Sequence, residues 1–224
     1  MSARSAAAAE TLVFLAVATG LFAVEQLVAV PPLFEGLGPI CLLTLAVVLM
    51  VRRRGEGWGV LGIQRPARLR TLPLWFLGLF AAFYVLNMAA MALVQSGLLD
   101  APDLSKFEPV RGNVMLLLVG LAIIWVTAAF FEEIVFRGFL LDRLLRLTGT
   151  GRAAALFAIV AQAMIFGALH FYQGITGILF TAAAGALFAL FYILQGRNIW
   201  VQVAVHGLVD TIGLVHFFLG GVPE

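Results

Sequence analysis

The sequence predicts an all-α integral membrane protein, a bundle of about seven transmembrane helices around an intramembrane cavity. Three observations carry this. Of 224 residues, 62 % are hydrophobic and 12 % charged, an apolar share well above that of an ordinary soluble domain. The apolar residues fall in runs that approach or exceed the roughly 20 helical residues needed to cross a hydrocarbon core. The arginines gather in short loops between alternate runs, the charge asymmetry of a polytopic chain.

The first run, 11–30, is longer than the apolar core of a secretory signal and carries Glu25, so it reads as a retained helix. Glu25 lies toward its outer end, where a carboxylate reaches headgroups. The second run, 37–51, holds the one cysteine, Cys41, which has no partner for an internal disulfide. The stretch GWGVLGIQRPARLR, Gly57 to Arg70, follows; its Trp, Gly and Pro beside arginines suit a segment lying on the membrane face. Further runs cover 72–95, 113–141, 153–171, 175–195 and 199–219. The small residues from Ala182 to Ala186 form a helix-contact surface in the sixth. The whole of 1–224 reads as one polytopic domain.

Arg52, Arg53, Arg54, Arg65, Arg68 and Arg70 follow the second run, Arg143, Arg146 and Arg152 the fourth, and Arg197 the sixth. The positive-inside rule then places the amino terminus in the cytoplasm and the carboxyl terminus outside, in the cell (inner) membrane. The net charge is only +2, so these arginines are topology signals and not a nucleic-acid surface. Membrane lipids are the expected surroundings.

Against this background FFEEIVFRGFLLDRL, Phe130 to Leu144, stands out, because Glu132, Glu133 and Arg137 sit in an otherwise apolar run. Ionisable groups at membrane depth are costly and face a protein interior or a wet cavity. On an α-helix Glu133 and Arg137 share a face and read as a structural clasp. Glu132 points about 100° away and is left for another partner. The other polar groups at depth are His170, in IFGALHF, and His206 with Asp210, in VAVHGLVD. Glu132 lies 14 residues before Arg146 and His170 lies 18 after Arg152, roughly 21 and 27 Å, so the two reach similar depths in an antiparallel pair.

EEIVFR fits an EExxxR motif, FGALH fits FxxxH, and HGLVD fits HxxxN/D, in that order and in separate spans. In these three motifs the chain resembles the CAAX prenyl protease and bacteriocin-processing (CPBP, or Abi) family of intramembrane endopeptidases, over a catalytic core of about 125–215. The resemblance implies hydrolysis of a peptide bond in a membrane-associated peptide or lipidated protein, with the cavity opening toward the cytoplasm. It implies Glu132 as the base that activates water, His170 as a holder of that water and His206 as donor to the oxyanion. Asp210 stands where many relatives carry Asn; an ionised Asp only accepts hydrogen bonds, so it is expected to orient His206. Glu133 and Arg137 support the site, and Phe166 forms its wall.

No cofactor is expected in this reading. Its rival is a zinc enzyme, since Glu132, His170 and His206 make a two-histidine, one-carboxylate ligand set; the absence of HExxH and the nearness of Arg137 weigh against it. Two further alternatives are a proton-coupled transporter using the same acids and histidines as a relay, and a non-catalytic immunity or scaffold protein. The chain shows no inverted repeat and no broken mid-membrane helix, which weighs against transport.

Overall fold

The computed structural model describes residues 2–149 and 151–220, and within them the chain is helical. The helices are α1 (Ala3–Glu25), α2 (Leu37–Arg53), α3 (Leu72–Gln95), α4 (Val114–Val126), α5 (Leu141–Thr148), α6 (Arg152–Ala168), α7 (Gly174–Leu194) and α8 (Trp200–Phe218). A π-helix, Thr127–Leu140, joins α4 to α5, so that Val114–Thr148 is one rod of 35 residues. Six of these helical stretches are long and apolar enough to cross a membrane, and α6, with 17 residues, is shorter. Large apolar side chains such as Leu27, Leu74, Val85 and Ile175 face outward, as lipid contact demands and water would not favour. This is an integral membrane bundle.

Two boundaries differ from the sequence reading. The first helix starts at Ala3, eight residues earlier than expected, because Ser2 caps it by accepting a hydrogen bond from Ser5 N, and Ala6 and Ala7 pack inside. It also ends at Glu25, whose carboxylate accepts from Gly36 N at 2.9 Å. Glu25 thus closes the turn into α2, a contact that reaching for headgroups did not anticipate.

Lipid and side chain are equally apolar, so close packing and polar contacts hold such a bundle. Small residues permit the closest approaches. A Cβ on Gly167 of α6 would stand 2.6 Å from Ile178 O of α7, and Gly185 lies against the Phe166 ring. The expected small-residue surface on α7 is therefore the seam with α6. Gly207 does the same for α8, where a Cβ would meet the Trp125 ring at 2.6 Å. Trp125 Nε1 also donates to Thr211 Oγ1 at 3.1 Å. These contacts fix the angle at which α8 presents His206 and Asp210 to the π-helix.

The segment 57–71 does more than lie on a surface. Leu61 is fully buried, Gly62 O accepts from Ile199 N at 3.2 Å, and Gln64 O accepts from Trp200 Nε1 at 3.2 Å. It docks under the start of α8 and against Gly138. The arginine-rich end of the bundle is further closed by an ion cluster. Arg143, fully buried, pairs with Glu10, Glu56 and Asp142, while Arg54 reaches Glu10 and Arg146 reaches Glu56 and Asp142. The hydrophobic core lies beside this cluster, around Phe14, Leu43, Phe136, Phe139 and Leu140.

Candidate active site

The EEIVFR motif lies wholly within the π-helix, where each N–H reaches the carbonyl five residues back. The sequence reading assumed α-helical pitch; π geometry is rare and frequent at functional sites. In it, positions four and five apart become near neighbours, so Arg137 follows both Glu133 and Glu132. At its start Thr127 Oγ1 donates back to Ile123 O at 2.8 Å, and at its end Leu141 N donates to Phe136 O.

Glu133 and Arg137 form the expected ion pair, Oε1 to Nη1 at 3.2 Å. The same Glu133 Oε1 accepts from His206 Nδ1 at 2.8 Å. Arg137 also lies over two ring faces, 4.6 Å from the centroid of Phe166 and 5.3 Å from that of Phe188. Those rings continue to the histidines, since Phe166 is 4.8 Å from the His170 ring and Phe188 is 5.6 Å from the His206 ring. Phe166 is therefore a buried wall that touches a histidine and the guanidinium.

Each imidazole is fixed by one nitrogen. His170 Nδ1 lies 2.9 Å from Phe166 O; a carbonyl only accepts, so Nδ1 carries the proton and a neutral ring leaves the Nε2 lone pair free. His206 Nδ1 faces Glu133, which turns Nε2 toward Asp210 Oδ2 at 3.6 Å and Glu132 Oε2 at 4.0 Å. Asp210 was expected to orient His206. The ring donates a short hydrogen bond from Nδ1 to Glu133, across the helix pair, and Asp210 stands at ion-pair distance from the other nitrogen. No spacing rule within one helix links positions 133 and 206, so this bond has no signature in residue spacing.

Exposure divides the charged groups. The side chains of Glu132, His206 and Asp210 are 20 %, 13 % and 33 % exposed, whereas Glu133 and Arg137 are 0 % and 1 % exposed. The first three are reachable; the last two are sealed beneath them. Among the described residues no group of three His, Cys, Asp or Glu side chains is arranged to hold a metal ion. His216, on the same helix as His206, is exposed and apart from the site.

Residues 114–212 match the sequence profile of the type II CAAX prenyl endopeptidase, Rce1-like family. Over that segment the chain is similar to the Rce1-like family. The match agrees with the family resemblance of the three motifs, and it spans α4 to the middle of α8, enclosing all of them. No curated protein and no solved structure matches the chain.

Two clefts at the arginine-rich end are lined by 65–71 and by Leu145, Arg146, Gly149, Gly151, Ala155, Ile193 and Arg197, and neither includes Glu132, His170 or His206. Leu61, Ile199 and Arg143 are fully buried.

Proposed function

We propose that the protein is a glutamate-type intramembrane endopeptidase that hydrolyses a peptide bond of a membrane-associated or lipidated peptide. Glu132 takes a proton from water as the water oxygen attacks the scissile carbonyl. The free Nε2 of His170 accepts a hydrogen bond from the same water and aims it. Doubly protonated His206 donates through Nε2 to the developing oxyanion while Glu133 holds its Nδ1. Glu132 then passes the proton to the leaving amine. Asp210 lies beside His206 Nε2 and limits how that nitrogen turns. The reading uses no metal.

One observation carries this most directly. Of two adjacent carboxylates, Glu133 is sealed against Arg137 and His206, while Glu132 is reachable and faces the second nitrogen of the same histidine. A purely structural clasp needs only the sealed pair. The orientation that fits the arginine distribution has the amino terminus in the cytoplasm and the carboxyl terminus outside an inner membrane.

The test is cleavage of a fluorogenic lipopeptide by protein reconstituted in nanodiscs. Glu132→Gln is expected to lower kcat by roughly 10²- to 10⁴-fold, the range for a lost general base, while keeping wild-type thermal stability. Cleavage by the variant at the wild-type rate overturns the assignment, and loss of wild-type activity on chelation, restored by zinc, overturns the metal-free mechanism.

A further inference from the structure

The connection between α3 and α4 takes no part in the chemistry above, yet it is firmly built. Ser105 N donates to Asp103 Oδ1 at 2.9 Å, and both the hydroxyl and the amide of Ser105 hold the Asp103 carboxyl below its ordinary range. Asp103 N donates to Gln173 O at 3.1 Å, Thr176 Oγ1 donates to Asp100 O at 2.7 Å, and Gly112 N donates to Phe218 O at 3.0 Å. Phe107 stacks on Phe217 with centroids 5.4 Å apart. These contacts tie the turn Ser105–Val110 to the start of α7 and the end of α8, at the arginine-poor end of the bundle.

The product of this mounting is the position of Lys106, the chain's one lysine. Its Nζ lies 3.7 Å from the centroid of the Tyr172 ring and 5.1 Å from that of Phe107. The Tyr172 ring is in turn 6.0 Å from the His170 ring. Burial pushes the Lys106 ammonium below the ordinary lysine range, against the pull of Glu35, Glu132, Glu25 and Asp210. Two of these four acids belong to the proposed site, but among the described residues no carboxylate is within 4.0 Å of Lys106.

A half-buried ammonium without an ion-pair partner gains from an anion brought to it. The substrate of a peptidase can supply one. We propose that Lys106 is a substrate-binding residue, which receives the carboxylate at the end of the peptide and so sets the distance from the chain end to the scissile bond. The fragment released as the leaving amine carries that carboxylate, which places Lys106 on the leaving-group side. The aromatic faces of Tyr172 and Phe107 keep the ammonium at that position between substrates. This inference rests on the reading of Glu132 and His206 as a hydrolytic centre.

The experiment compares one lipopeptide as its free carboxy-terminal acid, as its amide, and as an amide with an aspartate before the last residue. Binding of each is read by fluorescence anisotropy on full-length Glu132→Gln protein in nanodiscs, where nothing is turned over. Cleavage is read on the wild type. The free acid is expected to bind about tenfold more tightly than the amide, the worth of one charge-assisted contact. Adding Lys106→Met abolishes that preference by weakening the acid alone, and adding Lys106→Arg keeps it. Equal binding of acid and amide with Lys106 present, or equal weakening of both by Lys106→Met, overturns the proposal. A preference that follows the aspartate instead of the chain end overturns the assignment to the terminal carboxylate. Because binding is read without turnover, failure of Glu132 as the base and failure of Lys106 as the receptor appear in different measurements.

Discussion

One oxygen of Glu133 serves both Arg137, at 3.2 Å, and His206, at 2.8 Å, and so ties the π-helix to α8 through a carboxylate that substrate cannot reach. Glu133 is a positioning residue. Glu133→Gln keeps an oxygen that accepts from His206 Nδ1 but removes the charge facing Arg137; Glu133→Ala removes both. The alanine variant is expected to lose roughly 10²-fold in kcat through misplacement of His206, and about 3 to 5 kcal/mol of stability from the uncompensated buried guanidinium. The glutamine variant should recover part of the activity in the same cleavage assay and leave KM unchanged. Equal kcat in both variants would show that the bond to His206 does not matter.

Asp210 is a separate case. It lies 3.6 Å from His206 Nε2, beyond a short hydrogen bond, and Glu133 already orients the ring. Asp210→Asn is expected to keep activity within a few-fold, and Asp210→Ala to cost less than Glu133→Ala. The ranking is read from kcat in a single preparation series, and an Asp210→Ala loss exceeding that of Glu133→Ala would return the orienting role to Asp210.

The apolar runs and arginine loops of the sequence were enough to foresee the bundle, because a membrane imposes one length and one polarity on every span. The same logic singled out Glu132, Glu133, Arg137, His170, His206 and Asp210, since charge at depth is rare. What escaped were relations that no single helix encodes. The π pitch of Thr127–Leu140 breaks the 3.6-residue count on which facing was judged. The His206 bond to Glu133 joins positions 73 apart, and the Lys106 mount depends on loop bonds to α7 and α8. Glu10 and Glu56 also went unremarked, because each looks like an isolated surface acid until Arg143 is seen buried between them.

Gly138 marks how tightly the docked segment meets the π-helix. A Cβ there would stand 2.5 Å from Leu61 O and 2.8 Å from Leu61 Cα, and backbone atoms cannot swing aside as a side chain can. Gly138→Ala is therefore expected to destabilise the protein by about 1 to 3 kcal/mol. Gly213, whose Cβ position meets nothing within 4 Å, serves as the control, and Gly213→Ala should be neutral or slightly stabilising. Thermal unfolding of both variants in the same detergent checks this. A Gly138→Ala protein as stable as wild type would mean that the segment 57–71 is loosely held.

The ion cluster at the arginine-rich end gives stability a definite pH dependence through Glu56. Burial raises the Glu56 pKa, but Arg143 and Arg146 outweigh it and hold the carboxyl below its ordinary value of 4.5. A group whose folded pKa lies below its unfolded one stabilises fully above the unfolded value, and loses that contribution as pH falls through the folded one. Wild type is thus expected to exceed Glu56→Gln by roughly 1 kcal/mol near neutral pH, a modest figure because partial exposure screens the pair. The gap should narrow progressively once pH drops below about 4.5. Glu10 and Asp142 pair with the same Arg143, but they are present in both proteins, so the difference between the two curves isolates Glu56. A gap that widened in acid would contradict the sign, and one unchanged by high salt would contradict its electrostatic origin.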